Sequence, residues 1–176
     1  MEQTIINEVW RSVDGYMNYQ VSNIGRVRNA TTGKMMKLTD NGRGYLRLTL
    51  TNHEGQKPFC IHQLVAQEFL EKPVGNGEVY EVDHINRNKL DNQVCNLRYV
   101  TRSQNNINRS KPIRKRTTSS QYKGVSLVKK TGKWKAQINI DGKSVYIGLF
   151  ISEQEAAMAY DLKAQEVHSK FAVLNF

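Results

Sequence analysis

The chain has 176 residues, with 26 Lys+Arg against 16 Asp+Glu and a formal net charge of +10. That length accommodates one compact domain or two to three small modules, and 39% hydrophobic with 24% charged residues excludes wholesale disorder. No apolar run approaches the roughly 18 residues of a membrane span, and Met1-Glu2-Gln3-Thr4 opens no secretory signal, so a cytoplasmic protein is expected.

Cys60 and Cys95 stand 35 residues apart with no CxxC pair, which excludes a zinc ribbon. One disulfide or two buried thiols remain, and the absence of an export signal favours the thiols. The basic excess points to a polyanionic partner, because each phosphate neutralised releases counterions.

In chain order, the first fifty residues read as short strands broken by turns at Asp14-Gly15, Asn23-Ile24-Gly25 and Asn41-Gly42-Arg43-Gly44. Tyr45 to Leu50 alternates strictly, with Leu46, Leu48 and Leu50 on one face. From His62 to Leu70, Leu64, Val65, Glu68 and Phe69 fall at helical spacing. Glu78 to Val82 reads as a strand ending in the polar turn Asp83-His84-Ile85-Asn86-Arg87-Asn88. Leu97 to Val100 reads as its return. Thr101-Arg102-Ser103-Gln104 is a capping box, so a helix begins near Arg102.

Arg109 to Ser120 holds five basic residues and no acids, and reads as a solvated linker able to track a phosphate backbone. Beyond it, Val125 to Val128 begins a strand. Trp134, Ala136, Ile138 and Ile140 point inward on the next, leaving Lys135, Gln137 and Asn139 outward. After the Asp141-Gly142 hairpin turn, Val145, Ile147 and Leu149 point inward, with Ser144 and Tyr146 outward. Ser152-Glu153-Gln154-Glu155 is a second capping box, and the helix behind it lays Ala156, Tyr160, Ala164 and Val167 along one stripe.

The chemistry concentrates at Asp83-His84. At a strand end their side chains diverge, so one can bind a metal while the other faces a water. Asn96 follows His84 by twelve residues, and Asn105 follows Asn96 by nine, in the first turn of the Thr101-capped helix. A helix packed across a two-strand ribbon brings Asn105 back toward Asp83. Phosphodiester hydrolysis needs an activated water, which neutral imidazole supplies near pH 7. A hard divalent cation on oxygen ligands stabilises the phosphate and the leaving oxygen. The alternative is a hydrogen-bonded surface turn with two incidental asparagines. Arg87, Lys89, Arg98 and Arg102 are candidate phosphate contacts, as are Arg114, Lys115 and Arg116 in the linker. For His62, on the helix before the motif, the alternatives are an approach to the active site and a structural hydrogen bond, the second favoured; His53 and His168 read as surface or packing residues.

Val82-Asp83-His84-Ile85-Asn86, Asn96-Leu97-Arg98 and Asn105 resemble the HNH nucleases, in particular the His-Asn-Asn variants of phage and intron homing endonucleases. The resemblance implies that His84 is the general base and that Asp83 and Asn105 hold one divalent ion, Mg²⁺ or Mn²⁺. It also implies that Asn96 pins the loop between the strands. Asn105 stands where many HNH enzymes have His, which implies weaker metal binding. Glu8-Val9-Trp10-Arg11-Ser12-Val13-Asp14-Gly15 with Tyr19 to Arg28 resembles the nuclease-associated modular domain, with Trp10 and Tyr19 expected in its core.

Tyr122-Lys123-Gly124-Val125, Lys133-Trp134, Ile147-Gly148-Leu149-Phe150, Ala159-Tyr160-Asp161 and Asn175-Phe176 resemble the Apetala-type (ethylene-response-factor) DNA-binding domain. In that family a three-stranded sheet enters the major groove. The outward Lys135, Gln137, Asn139 and Tyr146 lie on the face that would do this, with Lys123 a further candidate DNA contact; Gln137 and Asn139 are either readers of adenine edges or ordinary exposed strand residues. Several arginines of the plant domains are missing here, which implies a different sequence preference.

The expected fold class is therefore α+β and modular. It comprises an N-terminal β-rich module (1–52), a ββα-metal nuclease core (53–109), a basic linker (110–120) and a C-terminal three-stranded antiparallel sheet packed on one helix (121–176). The expected activity is site-specific cleavage of double-stranded DNA by a monomer of phage or mobile-intron type. It would need no small-molecule cofactor and would nick one strand to leave a 5′-phosphate. The alternative is a non-catalytic DNA-binding regulator on an HNH-like scaffold.

Overall fold

The computed structural model describes residues 7–74, 78–108, 119–140 and 142–176. The fold is mixed α+β, with small antiparallel sheets and three α-helices among the described residues. The chain divides into two compact units, Met1–Thr101 and Arg102–Phe176, taken separately below. Most of the basic linker, with Arg114, Lys115 and Arg116, lies outside the described residues, as does Asp141 of the expected hairpin turn.

The first unit begins with the sheet β1 (Trp10–Val13), β2 (Tyr16–Ser22) and β3 (Val27–Asn29), in that order. A second sheet follows, from β4 (Thr39–Asp40), β5 (Leu46–Asn52) and β6 (Gly55–Cys60). In β5 the alternation holds, and Leu48 and Leu50 are buried between exposed neighbours. Helix α1 (Ile61–Phe69) starts directly at the end of β6 and buries Ile61, Leu64 and Val65 completely. These three residues join Val13, Val21, Val27, Leu48, Leu50 and Leu97 in a single hydrophobic core. The sequence boundary drawn at residue 52 is therefore not a boundary of packing, because α1 serves both sides of it.

Strands β7 (Tyr80–His84) and β8 (Leu97–Thr101) form an antiparallel ribbon beside α1. The first of these runs two residues further than the expected end at Val82. Its ladder carries on past His84, where Ile85 N donates to Asn96 O at 2.8 Å. Asp83 therefore faces Arg98, and His84 faces Leu97. The turn at Asn23 to Gly25 seats against the chain before β8, where Val94 N donates to Asn23 O at 2.8 Å. Gly25 has φ +84°, and a Cβ there would lie 2.8 Å from Asn92 Cβ.

Two expectations for this unit need correction. Trp10 is not in the core: it is half-buried, with the Arg28 guanidinium 4.2 Å above its ring. Both cysteines are free, but Cys95 is exposed rather than buried. It sits in the 3-10 turn Val94–Asn96, which turns Asn96 inward and Cys95 out.

The second unit holds α2 (Arg102–Ile107), the sheet β9 (Val125–Val128), β10 (Lys133–Ile140) and β11 (Lys143–Phe150), and α3 (Glu153–His168). β10 is central, and α3 packs on the sheet through Ala156, Ala157, Tyr160 and Ala164. The capping box at the start of α3 is formed, with Ser152 accepting from Glu155 N and Glu155 reaching back. Leu149, expected inward, points out and is 44% exposed. The cause is a β-bulge: Ala136 pairs with Gly148 but Gln137 with Tyr146, so β11 carries one extra residue and the alternation inverts beyond it. Phe150 packs inward in its place.

Gly124 has φ +76°, and a Cβ there would sit 2.1 Å from the Tyr160 ring and 2.6 Å from Gln137 O. Neither a core ring nor a sheet carbonyl moves cheaply. Gly124→Ala is therefore expected to destabilise the second unit by about 2–4 kcal/mol, read as a lower urea midpoint for the amide signals of β9 to α3. A midpoint within error of wild type would show that the contact is relaxed in solution.

Candidate active site

The ribbon presents its chemistry at the end of β7. Asp83 and His84 are both buried, at 7% and 5% exposure. Across the ribbon, Arg98 Nε donates to Asp83 Oδ2 at 3.0 Å and its NH2 group stands 2.9 Å from the same oxygen. Arg98, expected on a phosphate, is instead the counter-ion of Asp83. The physical reason is the register: once β7 runs through His84, the residue opposite the carboxylate is Arg98.

The loop from Ile85 to Asn96 is built from short polar turns. Asn86 Oδ1 accepts from Asn88 N at 2.8 Å, and Asn88 Oδ1 accepts from Leu90 N at 3.1 Å. Asn96 spans the loop: its Oδ1 accepts from Asn86 N at 2.9 Å and its Nδ2 donates to Asp91 O at 2.8 Å. These bonds satisfy both ends of a buried amide and fix the loop's two flanks to each other.

A residue that sequence reasoning missed lies on His84 itself. The His84 Nε2 to Asn92 Oδ1 distance is 3.2 Å, and Asn92 is also buried. Asn92 Nδ2 donates to Leu90 O at 3.1 Å, so its oxygen is the atom turned toward the imidazole. The neutral tautomer that fits this contact has its hydrogen on Nε2 and its basic lone pair on Nδ1. Burial lowers the His84 pKa below its ordinary value, opposed by the Asn92 bond and by Asp83 and Asp91. A neutral imidazole at pH 7 is the form a general base requires. Nothing in the local pattern marked Asn92, because its partner is set by the fold of the loop.

His62 was expected to make a structural hydrogen bond. Instead its Nδ1 is buried with no hydrogen-bond partner among the described residues, and its ring packs 5.1 Å from that of His84 and 5.0 Å from that of Tyr45. Helix α1 points it there while burying Ile61 and Leu64 on either side. Burial, then the neighbouring His84, lowers the His62 pKa from 6.5 to about 4. At neutral pH it is uncharged.

The remaining sequence candidates belong to both units. Lys89 Nζ donates to Arg43 O at 2.9 Å and lies 4.3 Å above the Tyr45 ring. Arg87 is exposed in the turn, at φ 66°. Asn105 lies in α2, in the second unit, as does Arg102. There Arg102, Lys123 and Asn139 line one cavity of about 400 Å³. Lys123 Nζ donates to Ile107 O at 2.7 Å, placing a cation on the last carbonyls of α2. On the sheet, the outward set pairs Lys135 with Ser126 and Leu149, Gln137 with Tyr146, and Asn139 with Ser144. Tyr146 is 60% exposed.

With this geometry in view, two family models align with the chain. Residues 8–51 match the NUMOD4 motif. Residues 61–107 match the HNH endonuclease family. The HNH segment therefore covers α1, the ribbon with Asp83, His84 and Asn96, and α2 with Asn105. The DNA endonuclease I-HmuI of Bacillus phage SP01 is 40% identical over 97 residues, 54% of this chain and 54% of that protein. A solved structure of DNA binding and cleavage by the HNH homing endonuclease I-HmuI aligns at 38% identity with a TM-score of 0.49, covering 54% of this chain and 53% of that one. The AP2-like ethylene-responsive transcription factor TOE2 of Arabidopsis thaliana is 40% identical over 72 residues, 38% of this chain and 15% of that protein. The chain spans between 25% and 56% of the length of the curated HNH endonucleases it matches.

The lowered His62 pKa has a stability consequence with a definite sign. The unfolded chain takes a proton near pH 6.5, whereas folded His62 resists it until about pH 4. Its contribution is complete above pH 6.5 and is lost as pH falls toward 4, by up to roughly 3 kcal/mol. His84 acts in the same direction. Urea midpoints between pH 7 and 4 are expected to fall steeply for wild type and less steeply for His62→Phe. Parallel profiles for the two proteins would show that His62 is not buried in its neutral form.

Proposed function

We propose that the chain is a site-specific, divalent-metal-dependent DNA endonuclease of the HNH homing type that nicks one strand. The observation that carries this reading is His84: a buried imidazole beside a carboxylate, its Nε2 3.2 Å from Asn92 Oδ1, within a segment matching the HNH endonuclease family. Acting at Nδ1, His84 takes the proton of the water that attacks phosphorus. Asn96 keeps the Ile85–Asn96 loop closed so that the imidazole holds its aim, and Arg98 fixes the direction of the Asp83 carboxylate.

The donors suit a hard divalent cation. Asp83 supplies a carboxylate oxygen and Asn105 an amide oxygen, and these two would hold it. Among the described residues, no three His, Cys, Asp or Glu side chains are grouped to cage a metal. Oxygen donors of this kind suit Mg²⁺ or Mn²⁺, which retains waters and takes phosphate oxygens. When bound, such an ion supplies charge neutralisation at the phosphate and help for the departing 3′-oxygen. Cleavage then leaves a 5′-phosphate and a 3′-hydroxyl. With one such centre per chain, a monomer cuts a single strand.

Specificity is assigned to the flanks, since catalytic side chains that meet only phosphate read no sequence. The 8–51 segment and the basic linker, with Arg114, Lys115 and Arg116, contact the backbone together with Arg87, Lys89 and Arg102. The outward face of β9 to β11, with Lys135, Gln137, Asn139 and Tyr146, reads base edges in the major groove, supported by the likeness to the plant factor. Lys123 is assigned to DNA with them.

The test is strand-end mapping by sequencing on mixed phage and bacterial DNA with Mg²⁺, run for wild type and His84→Ala. Recurrent single-strand ends in wild type alone are expected, with His84→Ala at least about 100-fold slower and its DNA affinity within about threefold. EDTA should stop cutting and spare binding. DNA binding without any wild-type-specific ends would instead support a non-catalytic regulator.

A further inference from the structure

We infer that Asn92 is the positioning residue of His84, and that the Asn23–Gly25 turn near the N-terminus holds Asn92 in place. The inference uses the endonuclease reading only for what His84 does; the contacts stand without it. Asn92 is 4% exposed, and its amide has a defined orientation because Nδ2 is committed to Leu90 O. Its oxygen meets Nε2 of His84, so one contact fixes both the tautomer and the ring's rotation about its two-fold χ2. The neighbouring rings of His62 and Tyr45 restrict the space around the imidazole, at 5.1 and 6.1 Å, but ring contact does not choose which nitrogen bears the hydrogen.

What holds Asn92 comes from the far end of the first unit. Gly25 lies so close that any side chain there would meet Asn92 Cβ at 2.8 Å and its carbonyl oxygen at 3.2 Å. Two residues earlier, Asn23 O takes the Val94 N–H, anchoring the segment that carries Asn92. The Asn23 side chain is itself tied down, accepting from Val9 N at 2.9 Å and donating to Asn7 O at 3.1 Å. A continuous chain of contacts therefore runs from residues 7–9 through Asn23 and Gly25 to Asn92 and His84. The N-terminal segment is a structural partner of the catalytic base, and not only an arm for DNA.

The test begins with long-range ¹H–¹⁵N spectra of the histidine imidazoles in the whole chain, whose four histidines are assigned by single substitutions. Wild-type His84 is expected to carry its proton on Nε2. Asn92→Leu, which removes the acceptor at similar volume, should give a mixture of tautomers. On the target identified by end mapping, its kcat should fall about 10- to 100-fold with KM within about twofold. Asn92→Asp keeps an oxygen acceptor and should restore both the Nε2–H signature and kcat to within about threefold. Gly25→Ala, studied at a temperature where circular dichroism shows it folded, should reproduce the Asn92→Leu spectrum.

A folded Asn92→Leu with the wild-type imidazole spectrum would overturn the inference, as would a loss confined to KM. A wild-type spectrum in Gly25→Ala would overturn the role of the turn. Should wild type cut no DNA at all, the endonuclease reading fails, while the imidazole spectra still decide the positioning claim.

Discussion

Everything in the first unit depends on the burial of one short helix. α1 has nine residues, too few to be stable alone, and exists because Ile61, Leu64 and Val65 lose all contact with water. Each such burial contributes on the order of 1.5–3 kcal/mol. The residues that cover the helix come from three places: the β1–β3 sheet, the β4–β6 sheet and the ribbon. Because one core serves all three, the ribbon cannot shift without disturbing the N-terminal sheets. The same helix brings the His62 ring within 5.1 Å of that of His84, so the microenvironment of His84 is a by-product of core packing.

Inside that frame the charges are managed by pairing. A buried carboxylate without a partner is strongly unfavourable, and Asp83 meets this constraint through the guanidinium directly across the ribbon. Arg98 thus has a different task from the one its charge alone suggests. The imidazoles follow the opposite rule, remaining neutral because burial penalises their charged forms. The asparagines complete the arrangement. Asn96 closes the loop on itself, Asn92 sets the tautomer of His84, and Asn86 and Asn88 shape the turns between them. Amides suit this work, since each offers a donor and an acceptor without adding charge.

The second unit answers a different problem, that of stabilising a small sheet with one helix. Alanines at 156, 157 and 164 let α3 approach closely, and Gly124 leaves room for the Tyr160 ring. Asp161 accepts from both N–H groups of Asn175 and from Phe176 N, clasping the final residues against the helix. The bulge in β11 has a consequence on the other side of the sheet. It places Leu149 beside Lys135, adding an apolar patch to an otherwise polar face.

Much of this was legible in the sequence, because it is written in local pattern. Leu46, Leu48 and Leu50 announce a half-buried strand by period two, and Ser152 with Glu155 announces a helix start through bonds three residues apart. The His84, Asn96 and Asn105 spacing is likewise a local signature. Partnership is not local. That Arg98 binds Asp83 follows from strand register, that Leu149 faces out follows from a bulge, and that Asn92 meets His84 follows from a loop folded against Gly25. Residue identities and their periodicity determined which segments became strands and helices and where the chemistry was concentrated. Only the tertiary structure decided which buried groups face one another, because hydrogen bonds and desolvation depend on neighbours in space that chain order does not specify.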